Sequence, residues 1–219
     1  MLNRRQLRLK VMEVIYAYDK STEKDIDFQL KYFLKSNKNF YRLYITVLSI
    51  FKSLHQYSIN VNSQNSKKFL KDKSELFYLK FSQNLFLKKI SSDKFLLNQI
   101  DILDIDVFNK HPEYLISLWK KIELSELFSV YLKKEKFSFK DDKSLVFNLF
   151  KKIIALDDKL YEFYEDTEIS WINDLPLVNS LVLTTFKKIE KLSRKSTVST
   201  KIYKNDEDAE FGVKLIKEV

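Results

Sequence analysis

Apolar residues near the start of the chain recur at helical spacing. The spacing i, i+4, i+7, i+8, i+11 predicts a helix from Asn3 to Asp19 with one buried face. The residues of this stripe are Leu7, Val11, Val14, Ile15 and Tyr18. A second, partial stripe is expected to widen the same buried face, and it consists of Leu9, Met12 and Tyr16.

The same pattern predicts helices along most of the remaining chain. One helix is expected from Thr22 to Leu34, and another from Phe40 toward His55. The polar stretch from Val61 to Lys68 between helical segments is the best candidate for a flexible connection. The fold is therefore expected to be all-α.

Proline and acidic residues indicate where later helices begin. Pro112 suits the first turn of a helix, because its missing N–H would be unpaired there in any case. Asp174 and Pro176 are expected to open a further helix. The acidic stretch from Asn205 to Asp208 then predicts the start of a last helix before Phe211.

Composition narrows the fold and the chemistry. The 219 residues include one Gly and two Pro, whereas average usage of the two together is roughly 12%. Tight turns and phosphate-binding loops need residues that tolerate positive φ, so β-sandwiches, barrels and Gly-rich loops are excluded. With no Cys and only two His, His55 and His111, we expect no cofactor and no metal.

Enzymatic activity and membrane insertion are not expected either. No Gly-x-Ser-x-Gly elbow occurs, and no Ser-His-Asp order suggests a nucleophile. No apolar run reaches the 18 or more residues that a membrane-spanning helix needs. We therefore expect a cytoplasmic protein that is not an enzyme.

The net charge by itself is weak evidence for a polyanionic partner, whereas the position of the arginines is more informative. The chain has 39 basic and 30 acidic residues, a net charge of +9. Most of the positive charge is Lys, which usually forms a solvated face and sets solubility. Arg is scarce, yet three of the five arginines, Arg4, Arg5 and Arg8, lie within the first eight residues.

This basic cluster suits single-stranded RNA. Arg4 and Arg8 are i, i+4 neighbours, Arg5 and Lys10 lie close by, and guanidinium groups bind phosphate in bidentate fashion and stack on bases. Tyr16, two turns on, could supply a stacking platform. The alternative is that the basic run only aids solubility and that Tyr16 and Tyr18 belong to the core.

Three segments together resemble one protein family. The first, Met-Leu-Asn-Arg-Arg-Gln-Leu-Arg-Leu-Lys-Val-Met-Glu-Val-Ile-Tyr-Ala-Tyr, spans residues 1–18. The others are Trp-Ile-Asn-Asp-Leu-Pro-Leu-Val at 171–178 and Tyr-Lys-Asn-Asp-Glu-Asp at 203–208, followed by Phe211. They resemble the transcription antitermination factor NusB, in the long form found in the Bacteroidetes.

The resemblance implies an RNA-binding role. NusB-type factors are all-helical, bind boxA RNA together with the ribosomal protein NusE, and act in the RNA polymerase antitermination complex during ribosomal RNA transcription. On this resemblance the RNA-facing arginines are Arg4, Arg5 and Arg8, and the RNA-contacting tyrosine is Tyr16. Gln6 stands where some members of the family have a third consecutive arginine.

The resemblance also implies a domain organisation. Residues 1–219 would form one NusB-like helical bundle, with N-terminal helices in 1–36, a long helical insertion in 37–201 and the start of the next core helix in 202–219. The family's last helical module is expected to be missing, which leaves a C-terminally truncated bundle. Two alternatives stay open: a helical protein-interaction module without RNA binding, and an N-terminal NusB-like domain split from an RNA methyltransferase.

Overall fold

The computed structural model describes residues 1–65, 73–134, 136–193, 196, 198, 201–205 and 207–218. In these ranges the protein forms twelve α-helices and one short 3₁₀ helix, Ile154–Leu156, and no β-strand, which confirms the all-α prediction. The α-helices are α1 Arg4–Lys20, α2 Ile26–Asn65, α3 Lys73–Ser82, α4 Leu85–Ser91, α5 Lys94–Ile102, α6 Val107–Lys110, α7 Pro112–Glu123, α8 Glu126–Leu132, α9 Phe139–Lys152, α10 Asp158–Thr167, α11 Ser170–Lys188 and α12 Asp208–Lys217. No helix in the described ranges is both long and apolar enough to span a membrane.

The protein divides into two compact units. Unit 1 comprises Met1–Leu43 and Ser199–Val219, and unit 2 comprises Tyr44–Val198. Unit 1 contains α1, the first part of α2, and α12, whereas unit 2 contains the rest of α2 and α3 to α11. The proposed insertion in 37–201 stays a prediction, and its first boundary falls inside α2.

The start of α1 is stabilised by a capping box. The Asn3 side chain accepts hydrogen bonds from the backbone N–H groups of Arg5 and Gln6, at 3.0 and 3.2 Å. The Gln6 side chain in turn accepts one from the Asn3 N–H at 2.8 Å. Both interactions satisfy amides that the helix itself leaves unpaired, so Gln6 has a structural role at this position.

Helix α2 is much longer than the sequence pattern predicts. It begins at Ile26 instead of Thr22. At this start the Asp25 carboxylate accepts a hydrogen bond from the N–H of Phe28 at 2.9 Å. It then runs without a break to Asn65, through the first five residues of the expected connection 61–68. Residues 66–68 of that connection lie outside the described residues.

Tertiary partners explain why the polar stretch after Leu34 does not end α2. Ser36 and Asn37 are both buried. The Ser36 hydroxyl accepts a hydrogen bond from Lys10 Nζ at 2.9 Å, and Asn37 Nδ2 donates to the Tyr203 hydroxyl at 3.3 Å. These hydrogen bonds offset part of the cost of burying the two side chains, although Asn37 Oδ1 has no hydrogen-bond partner within the described residues. Partners so distant in sequence cannot be inferred from the local pattern.

The single glycine of the chain allows α12 to pack against α2 within unit 1. A Cβ placed on Gly212 would lie 2.3 Å from Cζ of Phe33, whose side chain is fully buried. A methyl group at that distance would overlap the ring. Phe33 and Gly212 therefore set how closely the two helices approach.

Unit 2 is built around clustered aromatic side chains. Phe51 lies at the centre of one cluster, with ring centroids 4.9 Å from Phe186 and 5.8 Å from Phe150, in edge-to-face arrangements. Trp119 anchors a second cluster with Phe77 and Phe81 at 5.1 and 4.6 Å. Such pairs add about 0.5–1.5 kcal/mol each beyond the area they bury.

Helix α11 corrects the prediction that Asp174 and Pro176 begin a helix. It starts four residues earlier, at Ser170, so Pro176 lies inside it. A proline in a helix interior costs about 3 kcal/mol, because it removes a hydrogen bond and crowds the preceding turn. Trp171 and Val178 are almost completely buried, and burial of such side chains offsets that cost.

Several lysines cap the C-terminal ends of helices. Lys24 Nζ donates to the Tyr18 and Asp19 carbonyls at the end of α1, and Lys80 Nζ donates to the Leu132 carbonyl at the end of α8. At the end of α11, Lys143 Nζ donates to the carbonyls of 187 and 189. Lys89 Nζ donates to the carbonyls of 190, 191 and 193, in the segment that follows α11. Helices commonly end on a glycine that folds back to pair these carbonyls. With one glycine in the sequence, ammonium groups do so here.

This role changes the interpretation of the lysine content. Lysine was expected to provide a solvated, solubilising surface. Lys143 instead is partly desolvated, and this desolvation lowers the pKa of its ammonium group. Part of the positive charge therefore stabilises helix ends, where it also complements the helix dipole.

The Gly212 contact predicts an unusual sign for a helix substitution. Gly212→Ala should lower the free energy of unfolding by about 1–3 kcal/mol through overpacking, although alanine is favoured over glycine by about 1 kcal/mol in a helix interior. Chemical denaturation measures the change. Gly212→Ala should lower the free energy of unfolding by less when it is combined with Phe33→Leu, because the smaller side chain relieves the overlap. An equal loss with and without Phe33→Leu would contradict the contact.

The lysine caps predict a difference between two residues on α9. Lys143→Met should lower the free energy of unfolding by about 1 kcal/mol, because two carbonyls at the end of α11 lose their donor. Lys140→Met, on the same helix and exposed, should change it by less than about 0.5 kcal/mol. Thermal unfolding in parallel tests the pair, and equal destabilisation would show that the cap is unimportant.

Candidate nucleic-acid interface

Helix α1 turns its two apolar stripes in opposite directions. Leu7, Val11 and Val14 are buried, as predicted. The second stripe does not widen this face: Leu9, Met12 and Tyr16 are 51, 61 and 65% exposed. The expectation that these three residues are buried is wrong, because unit 1 covers only one side of the helix.

The exposed stripe continues into the arginine cluster. Arg5, Leu9, Met12 and Tyr16 follow the spacing i, i+4, i+7, i+11, which places them along one face of a helix. Arg5 is exposed. We call these four residues the outer face of α1. Its aromatic end carries an additional cation, since Lys20 Nζ lies 5.7 Å from the centroid of the Tyr16 ring.

Arg4 is held in place by α12. Its Nε donates to Oδ1 of Asp208 at 3.2 Å, and its Nη2 lies 3.7 Å from a carboxylate oxygen of Glu207. Its guanidinium also lies over the Phe211 ring, 5.2 Å from the centroid. Arg8 contacts the same ring at 5.8 Å. The α12 helix thus orients both guanidinium groups at the edge of the outer face.

Asp208 is well suited to this positioning role. It is 1% exposed, and its second carboxylate oxygen accepts the Asn205 N–H at 3.1 Å. A buried carboxylate with a cationic and an amide partner is strongly constrained. Arg4, by contrast, has a half-exposed side chain and keeps guanidinium edges available to a ligand.

Lys10 does not lie on the outer face. Its side chain is 8% exposed, and its ammonium group donates to the Ser36 hydroxyl. The structure therefore places Arg5 and Tyr16 on the outer face of α1 and Arg4 and Arg8 at its edge, beside α12. Lys10 lies on the side that packs against α2.

Two contributors to this site were missed by sequence reasoning. Asp208 and Phe211 were interpreted only as the start and the apolar face of a helix. The acidic start of α12 was visible in the sequence, but its partner Arg4 lies 204 residues away. Only packing of α12 against α1 reveals the pairing.

Other kinds of site have less support in the described part of the protein. Its His, Asp and Glu side chains include no group of three that could hold a metal ion. The outer face of α1 is the exposed side of a single helix, and its chemistry is that of cations beside an exposed ring. Such a surface suits an extended anionic ligand better than a small molecule, which needs a concave site.

Comparisons with known proteins leave the family open. No family model, no curated protein and no solved structure matches this sequence. The functional assignment therefore depends on the residues and contacts described above.

The Arg4 contact predicts measurable coupling between α1 and α12. In a double-mutant cycle for the free energy of unfolding, Arg4→Gln and Asp208→Asn should be non-additive by about 1 kcal/mol, because each removes the same ion pair. Arg5→Gln, which leaves that pair intact, should be additive with Asp208→Asn within about 0.5 kcal/mol. Additivity in both cycles would argue against the contact.

Proposed function

We propose that this protein is an RNA-binding transcription antitermination factor of NusB type. It would bind boxA-like single-stranded RNA together with NusE, in support of ribosomal RNA transcription. The observation that carries the proposal is the outer face of α1, where exposed apolar and aromatic side chains adjoin an arginine cluster. The resemblance of residues 1–18 to the first helix of NusB-type factors supports the same assignment.

The chemistry of the outer face fits a single strand. Guanidinium groups make bidentate, charge-assisted hydrogen bonds with phosphate. Tyr16 offers a ring that is 65% exposed, and stacking of one base on such a ring contributes about 1–3 kcal/mol. Arg5 and Arg8 would contact the backbone while Tyr16 stacks on an unpaired base.

Arg4 would act in a different way from Arg5. Because Asp208 and Phe211 hold its guanidinium, little side-chain entropy is lost when it meets a phosphate. The same carboxylate reduces the net charge at this end of the surface. We therefore expect Arg4 to contribute orientation more than charge.

A protein partner is the second candidate. Leu9 and Met12 are aliphatic and more than half exposed, and contiguous exposed apolar residues mark protein interfaces. This observation favours the alternative in which the protein is a helical interaction module. It is also compatible with NusE binding on the same helix, so the RNA experiment has to separate the two.

Salt dependence tests the RNA proposal. For boxA RNA, Arg5→Gln/Arg8→Gln should flatten the plot of log K against log salt concentration by about 1.4, since each phosphate contact contributes about 0.7 for a single strand. Tyr16→Ala should lower affinity by about tenfold or more without changing that slope, and Tyr16→Phe should keep most of the affinity. Fluorescence anisotropy titrations at several salt concentrations give both quantities.

A matched control comes from exposed lysines in the same unit. Lys31→Gln/Lys35→Gln on α2 removes two charges as well, but it should leave the slope nearly unchanged. If the arginine variant behaves like this control, RNA does not bind the outer face. The interaction-module alternative is correct if Leu9→Ala/Met12→Ala abolishes capture of NusE while the arginine variant leaves the affinity for RNA unchanged.

A further inference from the structure

A second cationic surface lies in unit 2, far along the sequence from α1. It is a groove of about 750 Å³ lined by the junction of α4 and α5, the start of α9 and the segment after α11. Four lysines and one aspartate line it among the described residues: Lys88, Lys89, Lys94, Lys191 and Asp93. The groove therefore concentrates positive charge to a degree that the protein as a whole does not.

The single carboxylate of this groove offsets one of its four lysine charges and leaves a positive excess. Asp93 is the N-cap of α5, and its Oδ1 accepts the N–H groups of Phe95 and Leu96, both at 3.0 Å. Lys89 is occupied with carbonyls of 190, 191 and 193. The side chains of Lys88, Lys94 and Lys191 are exposed and can reach a ligand.

Aromatic and apolar groups form the other part of the lining. Phe139 is half-buried, with its ring 5.8 Å from that of Phe86, which itself packs edge-on against Phe186 at 5.4 Å. Packing against these core rings therefore fixes the position of the Phe139 ring. Phe95 is half-buried and Leu85 is 44% exposed in the same groove.

We propose that this groove is a second binding site for single-stranded RNA. The ammonium groups of Lys88, Lys94 and Lys191 would contact successive phosphates, and bases would pack on Phe95 and Phe139. A cationic groove that follows the backbone, with rings on which bases stack, is the arrangement by which proteins bind single strands without sequence preference. The choice of RNA rests on the proposed function, whereas the existence of the groove does not.

The volume of the groove and its three exposed lysines favour a nucleic acid over a small phosphorylated ligand. Lys88 and Lys94 belong to different helices, and Lys191 follows a third. A groove of about 750 Å³ is larger than a single phosphate group fills, whereas a single strand offers one phosphate per nucleotide to the three cations.

Two RNAs and two variants test this inference. The RNAs are boxA RNA alone and oligouridine, and the variants are Lys88→Gln/Lys94→Gln/Lys191→Gln and Arg5→Gln/Arg8→Gln in the full-length protein. The lysine variant should bind oligouridine on the order of tenfold more weakly at low salt, and its plot of log K against log salt concentration should flatten by about 2. Its affinity for boxA RNA should not change. The arginine variant should show the reverse.

Controls separate the groove from general charge. Lys120→Gln/Lys151→Gln/Lys159→Gln removes three exposed lysines that lie outside the groove and should leave oligouridine binding within about twofold. Replacing the three groove lysines with arginine should preserve binding. Equal oligouridine affinities in the groove variant and this control would overturn the inference.

The outcomes for the two sites are distinguishable. If the arginine variant keeps full affinity for boxA RNA, the proposed function fails, but the oligouridine comparison still decides whether the groove binds RNA. If boxA binding depends on the arginines and oligouridine binding does not depend on the lysines, only the groove proposal fails.

Discussion

The close approach of α12 to α2 determines the candidate RNA-binding surface of unit 1. Gly212 permits this approach, because any larger residue would overlap the buried ring of Phe33. Phe211 and Asp208, on the same short helix, are thereby placed against Arg4 and Arg8. A steric constraint in the core thus sets the orientation of guanidinium groups at the surface.

The scarcity of glycine has a second consequence, at the ends of helices. Three helices end beside lysines whose ammonium groups donate to carbonyls that the helix leaves unpaired. Lys80 and Lys143 come from other helices, so their caps are also tertiary contacts, whereas Lys24 follows directly after the helix that it caps. Positive charge in this protein therefore has two roles: lysines such as Lys143 stabilise the fold, whereas the arginines of α1 and the exposed lysines of the unit 2 groove are available to anions.

The sequence pattern predicted the existence of most helices but not their lengths. The start of α1 after Asn3 and of α7 at Pro112 followed from local rules, because caps and proline act on neighbouring amides. The continuity of α2 did not, since Ser36 depends on Lys10, which belongs to another helix. Pro176 likewise lies inside α11, where burial of apolar side chains outweighs its local preference for a helix start.

The candidate site, too, could be predicted from the sequence only in part. Its cationic chemistry was visible in the sequence, because three of five arginines lie within eight residues. Helical spacing places Leu9, Met12 and Tyr16 on the side of α1 away from Leu7, Val11 and Val14. It could not reveal that this side is exposed, since a stripe of apolar residues looks the same whether or not another helix covers it. The sequence by itself determined the helical class and the arginine cluster, both of which arise from composition and local spacing. Only the tertiary structure decided which face of α1 is exposed, that Lys10 is interior and that Asp208 holds Arg4, because these depend on contacts between residues far apart in the sequence.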